Sequence, residues 1–212
     1  MKTHSDPGRL RLRRALLPLL LATGSATAGV QVCELAGEPI NPANGNELAG
    51  KSGLMRCVDS DTGERIREQE LVDGRFEGWA RRFEAGVLQR EEQRNAQGNR
   101  HGLVREYAGR GADNPLVLEQ TYDNGNLRGI ARSWHPAGGL KRVAFHDDSG
   151  RELAHAEFNA GGQLTRLRCA ERSVLAPHAD DAAWCGHRSG AGRPVVIFAD
   201  DGSRRSELSH RG

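Results

Sequence analysis

Arg56, Arg81, Arg105 and Arg132 recur in one local frame: LMRCV (54–58), WARRF (79–83), LVREY (103–107) and IARSW (130–134). In each segment an apolar residue comes first, arginine third, and an aromatic residue or valine fifth. A guanidinium is a rigid fork of donors that matches carboxylate and phosphate geometry. If the four segments lie side by side, these forks form a row, a candidate binding face for anionic groups on a partner. The same row also has a structural reading. Glu68-Gln69, Glu92-Gln93 and Glu119-Gln120 recur six and five residues before Gly74, Gly98 and Gly125. Glu68, Glu92 and Glu119 can therefore pair with the arginines, whose stems pack on neighbouring aromatics. Glutamates that recur with the arginines favour this second reading.

Cysteine is the other chemistry-bearing residue. Four are present, Cys33, Cys57, Cys169 and Cys185. An even count in an exported chain favours disulfides, and pairing of sequence neighbours gives Cys33–Cys57 and Cys169–Cys185. Loops of this size gain about 3 kcal/mol in the chain-entropy model. A zinc site from Cys169, His178, Cys185 and His187 is the alternative, but its spacings match no usual zinc pattern. No cofactor or metal site is expected. His101, His135, His146 and His155 are expected at turns, solvated. The adjacent pairs Asp180-Asp181 and Asp200-Asp201 read as turn chemistry. No nucleophile elbow, zincin helix or phosphate loop occurs in the sequence. An enzyme is not expected; its one remaining place would be the aperiodic stretch 159–193.

What positions these residues is a repeat. LVDGRFEG (71–78), NAQGNRHG (95–102) and YDNGNLRG (122–129) each carry Gly-x-x-x-Gly, and DDSGRELA (147–154) follows with Ala154 in the second place. The first glycines lie 24, 27 and 25 residues apart, a spacing that marks a repeat architecture. Each Arg-bearing segment alternates as a strand does. A glycine turn and a second strand follow, so each unit is a β-hairpin. Phe83, Tyr107, Trp134 and Phe158 then fall one per unit, as core or as a stacking platform. The expected fold is all-β: an elongated antiparallel sheet of stacked hairpins.

This pattern resembles the MORN repeat in its bacterial variant form, the group of YwqK-like antitoxins. The resemblance covers roughly residues 53–160 and implies an elongated sheet used as a contact surface, with no catalytic residues. PVVIF (194–198), Asp201-Gly202 and SELSH (206–210) restate strand, turn and strand. The expected divisions are a signal peptide (1–28), an irregular N-terminal segment (29–52), the repeats (53–158), a disulfide-closed insert (159–193) and a degenerate repeat (194–212).

Lys2, Arg9, Arg11, Arg13 and Arg14 precede the apolar run ALLPLLLA (15–22) and the small-x-small site ATA (26–28). This is the pattern of a signal peptide cleaved after Ala28, and it places the protein in the periplasm or outside the cell. The leader holds five of the 30 basic and one of the 28 acidic residues, leaving 25 against 27. A near-neutral mature chain argues against nucleic acid as partner. Only three of the basic residues are lysine, a bias consistent with a GC-rich Gram-negative genome. The expected function is a non-catalytic protein-binding module, immunity- or antitoxin-like. The alternative is an envelope scaffold that binds anionic lipid headgroups or glycans through the arginine row. A terminal edge strand could also pair with a second copy as a homodimer.

Overall fold

Short alternating segments punctuated by glycine fold here as consecutive antiparallel strands. A computed structural model describes residues 30–109, 111, 113–188 and 194–208; the expected leader and cleavage site lie outside the described residues. Strands β1 (Gln31–Leu35) and β2 (Glu38–Pro39) come first, then a single helical turn, α1 (Gly45–Leu48). The hairpin series follows: β3 (Gly53–Asp59), β4 (Arg65–Val72), β5 (Arg75–Glu84), β6 (Val87–Arg94) and β7 (Arg100–Tyr107). It continues through β8 (Leu116–Asp123), β9 (Asn126–Leu127), β10 (Gly129–Trp134), β11 (Leu140–His146), β12 (Glu152–Phe158) and β13 (Leu164–Arg168). After α2 (Asp181–Trp184), β14 (Val195–Phe198) and β15 (Arg204–Leu208) form a separate two-stranded sheet. The first thirteen strands make one long antiparallel sheet, almost entirely in chain order. The fold is therefore all-β, built of hairpins in succession.

Two turn types set the register. Ala36-Gly37, Asp73-Gly74, Ala85-Gly86 and Asn124-Gly125 are two-residue turns with positive φ at both positions, the type I′ geometry that matches strand twist. The turns 95–99, 135–139, 147–151, 159–163 and 199–203 are longer. In each, the first residue's N–H donates to the fifth residue's carbonyl, and the fourth residue is a glycine at positive φ. Asn95, Asp147 and Asn159 stabilise three of these by accepting from N–H groups inside the turn.

The sheet also uses segments expected to lie outside it. β1 within 29–52 pairs with β3 along its whole length. The NAGGQ turn at 159–163 copies NAQGN at 95–99, so LTRLR continues the alternation and β13 adds to β12. Aperiodic chain thus begins at Cys169 rather than at 159.

Apolar burial is concentrated at the two ends. One cluster gathers Leu35, Leu48, Met55 and Leu71 around Cys33 and Cys57. The other joins Val143, Ala154 and Ala156 of the sheet to Leu175 and to Val195 and Ile197 of β14. Between them, over β5 to β9, Val104 is the one buried hydrophobic side chain among the described residues, and Glu91 and Glu92 are buried beside it. Cys33 bonds Cys57 directly across β1 and β3, with Cα atoms 4.0 Å apart. Cys169 bonds Cys185 and closes the loop that carries α2. In that loop Asp180 caps α2, and buried Asp181 accepts from Ser173 Oγ and from the N–H groups of Val174 and Leu175.

Candidate functional site

The sheet brings Arg56, Arg81, Arg105 and Arg132 into one row, and a glutamate stands between each pair. Cross-strand partners run Arg56–Glu68–Arg81–Glu91–Arg105–Glu119–Arg132. Arg81 reaches Glu68 at 3.5 Å and Glu91 at 3.4 Å; Arg105 reaches Glu91 at 3.4 Å and Glu119 at 3.0 Å. Arg132 also bonds Glu119, and its other side meets the His178 ring at 3.4 Å. Arg81 and Arg132 lie over the rings of Trp79 and Trp134. Burial opposes ionisation of Glu119, yet the hydrogen bonds and charges of Arg132 and Arg105 outweigh it and hold its carboxyl below the ordinary value. The Glu119 hydrogen bond in turn raises Arg105. These forks are occupied from within the chain.

The glutamate in the second unit is Glu91, whereas the glycine frame points to Glu92. The reason is the turn: with the longer turn 95–99, Glu91 and Arg105 lie 14 residues apart, where Glu68 and Arg81, or Glu119 and Arg132, lie 13 apart, so counting back six from Gly98 stops one short. Glu92 therefore faces the opposite side of the sheet.

That opposite side holds the groove. In the row next to the ladder, Cys57, Arg67, Arg82, Arg90 and Glu106 are successive cross-strand partners. Three arginines on adjacent strands face one another, an arrangement that costs energy unless anions intervene. Bulges around Ile66 and Glu70 add local twist, and a concavity of about 790 Å³ opens over β4 to β7. β4 lines it with Arg67 and Gln69, β5 with Ala80, Arg82 and the edge of the ladder at Arg81, β6 with Arg90, Glu92 and Arg94, and β7 with Arg100. Among the described residues, Glu92 is the one carboxylate in the lining. Arg90, Arg94 and Arg100 all bond it, and Arg90 also bonds neighbouring Glu106 at 2.7 Å. Burial works against the Glu92 charge, but Arg94 and Arg90 hold its carboxyl below the usual range.

Among the described residues, Arg67 and Arg82 are left without a carboxylate. Arg82 is exposed, and Arg67 is half-buried with its guanidinium 5.2 Å from the centre of the Phe76 ring. Burial, and then the like charge of Arg94, push Arg67 below the ordinary arginine value. The sequence frame passed over Arg82 because it sits in the fourth place of WARRF, which does not repeat: the other units carry Cys57, Glu106 and Ser133 there.

The remaining candidates resolve locally. Cys169 and Cys185 are bonded to each other, so they are not thiolate ligands beside His178 and His187. His146 and His155 are not solvated turn residues. They lie within β11 and β12 with 8% and 14% side-chain exposure and converge on Glu152. β11 runs through His146 up to the turn at Asp147, and strand alternation places His146 on the side of buried Ala144. Burial lowers the His146 pKa, against the opposing pull of Glu152. The folded protein therefore resists protonation of His146, and stability is fully present above the unfolded histidine value of about 6.5. As the pH falls below that value stability declines, by at most about 1.4 kcal/mol per pH unit for this one proton. Urea melts at pH 7.5 and 5.5 should show the loss, and His146→Gln should remove most of the difference; an unchanged pH slope in that variant would refute the assignment.

No family model matches this chain, and no curated protein matches it. Among solved structures, one of TarM is similar at 12% identity with a TM-score of 0.23, over 59% of this chain and 18% of that one. The match thus spans less than a fifth of that protein's length.

Proposed function

We propose that this protein is an exported, non-catalytic binding module that engages a protein partner through the groove side of its sheet, as an immunity- or antitoxin-like member of the MORN-like hairpin-repeat group. The observation that carries this reading is the contrast between the two faces. The ladder arginines are neutralised by Glu68, Glu91 and Glu119, whereas Arg67 and Arg82 open on a concavity with no carboxylate of their own. A structural cation is normally paired; a pair of cations left open in a cleft points to a ligand. Two disulfides fit an oxidising periplasmic or extracellular setting, in keeping with the leader read from the sequence. The groove lining offers guanidiniums and a locked carboxylate, a set suited to holding anions. The ladder reading, with lipid headgroups or glycans as ligands, would require breaking those internal ion pairs first.

The test uses residues 29–212 with both disulfides formed, immobilised and exposed to periplasmic extract. A stoichiometric protein should be retained by the native chain and by Arg56→Gln, a control at the exposed end of the ladder. It should be lost with Arg67→Gln/Arg82→Gln. Retention of nothing, or equal loss with both variants, would overturn the reading.

A further inference from the structure

We propose that the groove takes an extended acidic peptide segment that carries an apolar side chain beside its carboxylates. The inference rests on the protein-binding reading and names the part of the partner that enters. Charge is the first argument. Arg67, Arg82 and Arg90 are neighbours on three consecutive strands, which are about 4.8 Å apart. Same-side residues of an extended peptide lie about 6.8 Å apart, so two acids at i and i+2 fall within reach of these flexible guanidiniums. Carboxylates placed there would relieve the Arg67–Arg94 repulsion that the fold leaves standing.

Shape and lining are the second argument. The site is a concavity, so a chain can enter where a flat bilayer cannot. Its floor is not all polar: Ile66, Phe76, Phe83 and Ala80 contribute to it. A bare phosphate polymer would leave that apolar surface unused. Sugar stacking is also disfavoured, because Arg65 and Arg67 already cover one face of Phe83 and Phe76. The ring surface left uncovered and the Ile66 side chain suit an aliphatic or aromatic side chain flanked by acids. Strands β4 to β7 are paired on both sides, so recognition proceeds through side chains and not by adding a strand.

The test is fluorescence anisotropy with the disulfide-intact chain 29–212 and a rhodamine-labelled dodecapeptide of alternating Glu and Leu at about 0.15 M salt. Saturable binding is expected. Replacing Glu by Gln in the peptide should weaken it about tenfold or more, and so should Arg82→Gln in the protein, since hydrogen bonds to charged groups are worth that much. Replacing Leu by Ser should weaken it about as much through lost apolar burial. Arg82 is exposed and without an ion pair among the described residues, so this variant should melt as the native chain does. Arg56→Gln should bind unchanged. The proposal is overturned if the Ser peptide or polyphosphate binds as tightly as the Glu-Leu peptide, if binding occurs only to anionic vesicles, or if Arg82→Gln has no effect. A partner retained through Arg67 and Arg82 that the peptide fails to displace would sink this proposal and leave the binding function standing. Peptide binding without any retained partner would do the reverse.

Discussion

Glu91→Ala should destabilise the protein by about 2–3 kcal/mol, more than any other single ladder substitution. The Glu91 carboxylate, 11% exposed, takes hydrogen bonds or charge from three groups: Arg81 Nε and Arg105 Nη1, each at 3.4 Å, and the Tyr107 hydroxyl at 2.9 Å. Truncation leaves Arg81 and Arg105 with no anion between them and the tyrosine O–H without its acceptor. Removing one partner of a buried pair costs about 3–5 kcal/mol. The estimate is lower because Arg81 and Arg105 keep 28% and 33% of their side-chain surface. Glu91→Gln should cost roughly half as much, since the amide oxygen still accepts from Tyr107. The middle of the sheet has little apolar core to compensate, so the effect should not be absorbed locally. Urea denaturation of both variants is the measurement. A change below about 0.5 kcal/mol would mean that the ladder behaves as ordinary solvated ion pairs. The ladder would then lose its structural role, and with it the contrast between the two faces.

The sequence made the ladder visible because it repeats, and for the same reason it concealed the groove. A residue that recurs in every hairpin is doing what every hairpin needs. Arg81, Arg105 and Arg132 each hold two neighbouring strands together through a glutamate. The fourth position of the frame differs in each segment, and only in WARRF is it an arginine, Arg82, facing another arginine on either side. Strand alternation and glycine turns made the all-β hairpin sheet legible, as the continuous pairing from β3 to β8 illustrates. Register was less so. A five-residue turn and a two-residue turn both present a glycine to the eye, yet they differ by one residue in what lies opposite what. That single residue moves Glu92 to the groove and puts Glu91 in the ladder. His146 differs for another reason: β11 continues through it to the turn at Asp147, and alternation sets it beside buried Ala144 rather than in the turn. The docking of the C-terminal segment was likewise hidden. The ladder row passes from Arg132 to Val143 and Ala156, turning apolar where Leu175 and Ile197 cover it. Local pattern shows that those residues are apolar, but not what packs on them.

Gly102→Ala should cost about 3–4 kcal/mol, while the matching substitution at Gly129 costs about half of that. Both glycines have positive φ, +104° and +70°, and an L-residue held there stores about 1–3 kcal/mol. Only Gly102 has a second duty. The Gln93 side chain lies over it and accepts from the Leu103 N–H at 2.9 Å, and a methyl at position 102 would collide with the amide oxygen of Gln93. Displacing that amide leaves a part-buried N–H without its partner, a further penalty of about 1–3 kcal/mol. At Gly129 nothing lies within 4 Å of where the methyl would go. The first unit repeats the device, with Glu70 lying over Gly78 and accepting from the Trp79 N–H at 2.8 Å. In the first two motifs the second glycine of Gly-x-x-x-Gly is thus a slot for a side chain that bridges a break in the strand ladder, as well as a flexible joint. A double-mutant cycle separates the two duties. In a Gln93→Ala background the Gly102→Ala penalty should fall to the backbone part alone, giving a coupling of about 1–2 kcal/mol. Equal penalties at 102 and 129 with no coupling would reduce the motif to turn geometry.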